Sequence, residues 1–159
     1  MENLRALGYS RDMMKDFPAV LLTAAAAQVL CQLFKVVFYS IRERRFAPRY
    51  FVSPGGNPSA HSAFVTALSV AVGMRGGFFS DIFAVCFVFS AIVIYDAFRL
   101  RGAVQEHAKL LNSLTSRHFP DEHRDLREMV GHSLPEIFTG IAAGGVFSFV
   151  VMSFIMNAM

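Results

Sequence analysis

The sequence is poor in the residues that mark metal-binding and nucleic-acid-binding proteins. Its two cysteines, Cys31 and Cys86, lie far apart in apolar stretches without the spacing of metal ligands, so we expect them to be small buried hydrophobic residues. The net charge is only +3, and no basic cluster is interleaved with aromatic residues, which argues against a nucleic-acid partner. Internal repeats and low-complexity tracts are also missing. The class of protein therefore has to be inferred from the residues that are abundant.

Charged residues are scarce as well, at 17% of the 159 residues, whereas 54% are hydrophobic. With a mean hydropathy of +0.44, the chain is too apolar for an ordinary soluble domain, and its length suits one domain, residues 1–159. The first apolar run contains Lys35 rather than a small-residue cleavage site, so a signal peptide is not expected. The composition indicates an integral membrane protein.

Four apolar segments divide the chain, and a membrane-spanning helix needs roughly 20 residues. They are residues 17–41, 60–74, 78–98 and 136–159. They predict an all-α, polytopic membrane helical bundle with about four embedded helices and short interfacial helices. The second segment is short and carries hydroxyl groups, so we expect it to be buried among the others, and the third to be the most exposed to lipid.

The polar parts of the chain are a mixed-charge leader, residues 1–16, and a long connector, residues 99–135. Within the connector, residues 121–130 are predicted to be helical, with Gly131 in the position of a C-terminal glycine. We attach no function to the leader.

Both basic connectors are predicted to lie on one side of the membrane. Four arginines follow the first apolar segment, and six Lys or Arg residues occupy the 99–135 connector. The positive-inside rule places that side in the cytoplasm and both termini outside. Whatever the sidedness, the candidate polar residues fall at the same end of their helices and can converge on one site. They are Lys35, Arg42, His61, Arg101 and His132.

The stretch densest in chemistry is residues 53–62, Ser-Pro-Gly-Gly-Asn-Pro-Ser-Ala-His-Ser. Asn57 followed by Pro58 is typical of an N-cap and a first helical residue, so a helix is expected to start there. Its first turn would present backbone N–H groups, the Ser59 hydroxyl and the His61 imidazole, while Gly56 permits close backbone approach. Together these groups indicate an anion site.

His132 lies between Gly131 and the sequence Ser-Leu-Pro-Glu of residues 133–136, which is a capping-box pattern at a helix start. Two histidines at the starts of membrane helices suit a reaction that needs a nucleophile and a proton donor, because the pKa of histidine lies near neutrality. Glu136, four residues after His132, is the carboxylate available to orient the attacking ring. In the alternative interpretation, Glu136 only closes the capping box, and the residues alone leave both open.

Several cations are candidates for binding a phosphate. Lys35 and Arg42 are seven residues apart and so share a helical face, which Gln28 and Gln32 mark as an interior face. The alternative is that both cations snorkel to the membrane interface. A further candidate is Arg101, with Asp96 as its positioning partner.

These motifs resemble those of the type-2 phosphatidic acid phosphatase and vanadium haloperoxidase superfamily. The resemblance rests on Pro58-Ser59-Ala60-His61, on Lys35 with Arg42, and on His132 with Glu136. The small divergent branch of that superfamily is more similar still, from about Gln28 to Gly144. The matching segments are residues 55–62, Tyr95-Asp96-Ala97 with Leu100-Arg101, Leu111-Asn112, and 131–136.

The resemblance implies a metal-independent phosphatase, without a cofactor, that acts on a lipid phosphate or an isoprenoid (pyro)phosphate. His132 would attack phosphorus and form a phosphohistidine, Glu136 would orient His132, and His61 would protonate the leaving group. The phosphoryl oxygens would be held by cations, a hydroxyl and backbone amides. These ligands are Lys35, Arg42, Ser59 and the amides around Gly56, with Arg101 and Asp96 as our additions.

Two positions depart from the superfamily pattern. Glu43 stands where a proline is expected after Arg42, and Leu126 stands where an arginine is expected six residues before His132. Arg101, Arg124 or Arg127 would have to replace that arginine, and we favour Arg101. The departures motivate a second hypothesis, a non-catalytic membrane protein that binds an anionic lipid or phospho-ligand, and a third is a structural membrane subunit. The small size suggests a homodimer in which a second copy completes the lipid groove.

Overall fold

The computed structural model describes residues 11–53, 55–120, 125–128 and 130–158, with side chains from residue 19 onward. Within these ranges every regular element is helical, which confirms the predicted all-α class. The α-helices are α1 (Arg11–Glu43), α2 (Ala60–Gly76), α3 (Asp81–Tyr95), α4 (Arg101–His118) and α5 (Leu134–Ala158). A 3₁₀ helix, Pro48–Val52, follows α1, and a π-helical turn, Asp96–Leu100, joins α3 to α4.

Three helical segments in the described ranges are long and apolar enough to cross a membrane. They are Ala19–Glu43, Leu134–Ala158 and a continuous 38-residue helix, Asp81–His118, made of α3, the π turn and α4. The last is the least covered by protein, with 11% of its most apolar window buried. The third apolar segment of the sequence is therefore the most exposed to lipid, as its composition predicts.

The 17-residue helix α2 lies at the centre and contacts α1, α3 and α5. Its buried residues are small, mostly alanine and serine, which lets neighbouring backbones approach closely. The Ser69 hydroxyl contacts the Ser90 hydroxyl of α3 at 2.8 Å. Hydroxyl groups in an apolar helix are satisfied by packing against protein, and α2 is buried among the others as predicted.

Helices α2 and α5 pack through residues spaced four apart. A Cβ atom at Gly144 would collide with the Ala63 backbone, and the Ser148 hydroxyl donates to Ala67 O at 2.8 Å. At the end near the site, Ser59 N donates to Glu136 O at 2.9 Å. The starts of the two helices are thus fixed side by side.

The predicted start of α2 at Asn57 and Pro58 is wrong by two residues. Ser59 is the N-cap, because its hydroxyl accepts a hydrogen bond from Ser62 N at 3.3 Å. The Asn57 side chain instead accepts a hydrogen bond from the Thr139 hydroxyl of α5, and the Asn57–Pro58 peptide bond is cis. The Asn-Pro pair does lie next to a helix start, but the Asn57 side chain binds α5 instead of capping α2.

The predicted helix over residues 121–130 is also wrong where the structure describes it, since residues 125–128 are not helical. The helix of this connector is α4, earlier in the chain. Leu126 donates its N–H to the Asn112 side chain and accepts from it through its carbonyl, so its backbone is satisfied without a helix. Residues 121–124 and 129 of that prediction, and residues 1–10 of the leader, lie outside the described residues.

Candidate functional site

The His132 ring is buried and tied to Glu136. Its side chain is 0% exposed, and Nδ1 lies 3.0 Å from Glu136 Oε2. The same oxygen accepts a hydrogen bond from Ser133 N at 3.3 Å, as in a capping box. The two interpretations of Glu136 are therefore compatible, because one carboxylate oxygen both caps α5 and holds the ring.

This contact determines which nitrogen of the neutral His132 ring is free. A carboxylate only accepts hydrogen bonds, so Nδ1 carries the proton and Nε2 keeps its lone pair. Nε2 is buried and has no hydrogen-bond partner among the described residues. Buried polar atoms are nearly always paired, so an unpaired basic nitrogen points to a ligand.

The His61 ring lies next to His132. The ring centroids are 5.9 Å apart and the planes are inclined at 65°. His61 Nδ1 is also buried without a hydrogen-bond partner in the described ranges. Two adjacent imidazoles, each with an unsatisfied nitrogen, therefore border one small volume at the starts of α2 and α5.

Lys35 brings a positive charge to the same place. Its side chain is fully buried, and Nζ donates to Gly55 O at 3.1 Å. It interacts electrostatically with Glu136 and His61. Since the side chain is enclosed by protein and bonded to the loop before α2, snorkelling does not describe Lys35.

The loop before α2 is held in shape by α1. Gly56 is buried and has φ +92°, a backbone conformation that favours glycine. A Cβ atom here would lie 3.1 Å from the Tyr39 hydroxyl, and the Tyr39 ring stacks on Tyr50 with centroids 4.1 Å apart. Ser59 is fully buried at the end of this loop. The loop is therefore packed in place beside the histidines.

Asp96 lies on the π turn, and Arg101 lies at the start of α4. Arg101 Nε donates to Asp96 Oδ2 at 3.2 Å, and both side chains are partly exposed. Both also act electrostatically on His61. They are therefore close enough to the histidine pair to influence its charge, and π-helical turns are frequent at functional sites.

Arg42 lies at the exposed end of α1. Its side chain has no hydrogen bond or ion pair within the described part of the chain. The neighbouring Glu43 is engaged by Arg45, Arg49 and Tyr50, at 2.9, 2.8 and 2.6 Å. The acid that departs from the superfamily pattern is thus occupied in a surface cluster, away from the histidines.

Reasoning from the sequence missed the residues that hold His132 from outside. His132 N donates to Ala97 O at 3.2 Å, and Gly131 N donates to Gln105 Oε1 at 3.2 Å. The Asn112 amide binds Leu126 farther along. One signal could have revealed them, because Gln105 and Asn112 share a helical face with Arg101.

Two cavities border this region in the described part of the chain. An apolar groove of about 420 Å³ lies between α1 and α5, and its lining includes Cys31, Phe34, Pro58, Thr139 and Phe147. A second cavity of about 440 Å³ lies between α4 and residues 131–133 and touches His132. One cavity thus adjoins His132, and the apolar groove adjoins the loop before α2.

Comparisons with known proteins agree with the membrane fold. Residues 18–147 match the model of a family described as "Divergent PAP2 family". The chain is 33% identical to "Uncharacterized membrane protein YuiD" of Bacillus subtilis (strain 168), over 91% of this chain and 99% of that protein. No solved structure matches. The name of the relative states a membrane location and no activity.

Proposed function

Because this chain belongs to the Divergent PAP2 family, we propose that it is a membrane phosphatase. It hydrolyses a lipid phosphate or an isoprenoid (pyro)phosphate through a phosphohistidine, without a metal ion. The observation that carries this proposal is the state of His132. Its Nδ1 is held by Glu136 at 3.0 Å, and its buried Nε2 has no partner among the described residues.

The first step is attack by His132 Nε2 on phosphorus. The N–P bond forms as the P–O bond to the leaving alcohol or phosphate breaks. His61, which takes up a proton together with the bound phosphate anion, gives that proton to the departing oxygen. Glu136 stabilises the positive charge that develops on the His132 ring. The 5.9 Å between ring centroids supports the proposal that nucleophile and acid act on one phosphoryl group.

The second step is hydrolysis of the phosphohistidine. A water molecule attacks phosphorus, the new P–O bond replaces the N–P bond, and the proton from water returns to His61. The His132 ring is then neutral again and remains bonded to Glu136. Two histidines and one carboxylate are sufficient for both steps.

The negative charge of the phosphoryl group needs donors. Lys35 and Arg101 both act electrostatically on His61 and would supply positive charge, and the amides of Ala60 and His61 in the first turn of α2 have no partners within the helix. Preorganised donors of this kind are commonly the largest catalytic term. Arg42 as a phosphate ligand stays a prediction, since it lies at the exposed end of α1.

A lipid substrate is favoured by the surroundings of the site. The groove between α1 and α5 is lined mainly by apolar residues and reaches Pro58 and Thr139, next to the loop before α2. An acyl or isoprenyl chain in this groove would bring its phosphate to the histidines from the membrane. A soluble phosphate ester would gain nothing from it.

Purified protein in detergent tests the proposal. We expect phosphate release from lipid phosphates or isoprenyl diphosphates in the presence of a chelator. His132→Ala should abolish release, because no other side chain replaces the nucleophile, and acid-labile labelling of the protein by radioactive substrate should disappear with it.

His107→Ala is the matched control, because His107 is an exposed histidine of α4, away from the pair. It should retain full activity. Undiminished release by His132→Ala would refute the phosphohistidine mechanism.

A second candidate function is binding without turnover of an anionic lipid or phospho-ligand. It is favoured by the exposed position of Arg42 and by the bond that ties Lys35 to Gly55 O, because both leave fewer free cations for a transition state. Tight binding of phospholipid with no phosphate release across a broad panel would support this function over the first.

A further inference from the structure

We propose that Asn112 is a positioning residue, which sets the place of the His132 ring by holding the chain before it against α4. We call that chain the strap, residues 125–128 and 130–133 of the described structure. Asn112 does not touch the ring. It would act through the backbone of the strap, and only the kinetic part of this inference rests on the proposed function.

The Asn112 side chain holds the strap by three hydrogen bonds. Nδ2 donates to Leu126 O at 2.9 Å, and Oδ1 accepts from Leu126 N at 2.9 Å. Nδ2 also donates to Glu128 Oε1 at 2.9 Å. A side-chain amide paired with both the N–H and the C=O of one residue fixes that residue in orientation as well as in position.

Two more hydrogen bonds connect the other end of the strap to the same helix. Gly131 N donates to Gln105 Oε1, and His132 N donates to Ala97 O, both at 3.2 Å. Asn112, Gln105 and Ala97 follow one another at intervals of seven and eight residues, or about two helical turns. They therefore lie on one face, and the strap runs antiparallel to the helix along it.

Chain lengths indicate that the connection between Leu126 and His132 has little slack. Fifteen residues of helix separate Ala97 from Asn112, which is about 22 Å. The six residues from Leu126 to His132 can span at most about 22 Å. We therefore expect a displacement of Leu126 to move His132 or to break one of the hydrogen bonds that hold the strap.

The strap also rests directly on the helix near its end. A Cβ atom at Gly131 would lie 2.8 Å from the Cα and N atoms of Gly102. The two backbones are in contact here, one residue before His132. Asn112 holds one end of the strap and this contact holds the other. The backbone that carries the His132 ring is therefore fixed against the helix.

The groups that would bind phosphate do not belong to the strap. Lys35 is on α1, and the loop of residues 55–59 is held by Tyr39 and Glu136 O. Loss of the Asn112 bonds should therefore disturb the nucleophile and leave substrate binding intact. A lower kcat with an unchanged KM is the expected signature.

The test compares Asn112→Ala with Ser113→Ala in the full chain in detergent. Ser113 is an exposed neighbour on α4, and among the described residues its side chain makes no hydrogen bond to the strap. For Asn112→Ala we expect amide exchange over residues 125–133, and carbethoxylation of His132 by diethyl pyrocarbonate, to rise about tenfold. kcat should fall by about tenfold with KM within about twofold, while Ser113→Ala should match the wild type.

A swapped pair separates positioning from general loss of structure. Asn112→Asp alone removes the donor and places a carboxylate beside Glu128, so it should loosen the strap. Adding Glu128→Gln supplies an amide that can donate to the introduced carboxylate, and it should restore part of the protection of His132. Exchange across α2 reports in each variant whether the bundle is folded.

The outcomes are distinct. Unchanged exchange and unchanged His132 labelling in Asn112→Ala would overturn the inference, and so would an Asn112→Asp defect that Glu128→Gln leaves as it is. If the wild type releases no phosphate, the proposed function fails, while exchange and labelling still decide the role of Asn112.

Discussion

Glu136 shows how one residue can serve both the fold and the site. Its Oε2 atom accepts from Ser133 N at the start of α5 and from His132 Nδ1. The orientation of the ring is thereby coupled to the first turn of a membrane helix. The sequence indicated this contact, because Glu136 follows His132 by four residues and lies in the first turn of the helix that begins after it.

Arg101 and Arg127 offer a direct test of which arginine serves the site. Arg101 acts electrostatically on His61 and pairs with Asp96 at 3.2 Å, whereas Arg127 is exposed on the strap. We expect Arg101→Ala to lower kcat/KM by about a hundredfold, as loss of a transition-state donor does. Arg127→Ala should stay within about twofold. Phosphate-release kinetics measure both, and the reverse order would move the missing arginine to the strap.

At the level of residues, the sequence predicted which side chains come together better than it predicted the contacts that support them. Local spacing indicated His61, Lys35, His132 and Glu136. The Asn112 clamp joins positions 14 residues apart in sequence, and Tyr39 supports Gly56 from another helix. Such contacts depend on how helices pack, and no short motif contains that information.

At the level of elements, the helices were predicted from apolar length and the errors lie at polar ends. The segments 60–74 and 136–159 correspond to α2 (Ala60–Gly76) and α5 (Leu134–Ala158). The predicted start of α2, and the predicted helix in its described part, residues 125–128, were wrong because side chains from other elements satisfied the groups concerned. Apolar runs can be recognised in the sequence alone. Which group caps a helix depends instead on contacts with other helices.

The contact of α2 with α5 predicts that substitutions of two adjacent glycines differ in their effect on stability. A Cβ atom at Gly144 would collide with the Ala63 backbone, whereas one at Gly145 would only make an ordinary contact of 3.7 Å with Thr66. We expect Gly144→Ala to lower the free energy of unfolding by about 1–3 kcal/mol through overpacking. Gly145→Ala should leave it unchanged or raise it by up to about 1 kcal/mol, since alanine favours helix.

Thermal unfolding in detergent compares the two glycine variants, with the wild type as reference. Because His61 lies in the first turn of α2 and His132 directly precedes α5, Gly144→Ala should also reduce phosphatase activity more than Gly145→Ala does. Equal unfolding temperatures for the two variants would contradict the close backbone packing.

At the level of the whole molecule, the site lies at one end of the bundle. His61 and His132 are at the starts of α2 and α5, and Lys35 is near the end of α1. The turn between α2 and α3 lies at the opposite end, with Phe79 fully exposed. The two ends of the bundle therefore differ. The side of the membrane on which one connector lies determines the side on which the site lies.

Cysteine labelling measures this sidedness. In a background with Cys31→Ala and Cys86→Ala, we expect Phe79→Cys to react with an impermeant maleimide in intact cells. Ser116→Cys, in the basic connector, should react only after lysis, because positive connectors stay in the cytoplasm. Reactivity of Ser116→Cys in intact cells would place the site on the outer face.

The hydrogen bond from Ser59 N to Glu136 O has a consequence for the field around the histidines. It joins the first turns of two helices, and each helix start carries roughly half a positive elementary charge from its aligned peptide dipoles. The two macrodipoles thus converge on one point of low dielectric constant, where charges interact more strongly than in water. The backbone itself supplies a potential that attracts anions to the histidine pair before any side-chain cation is counted.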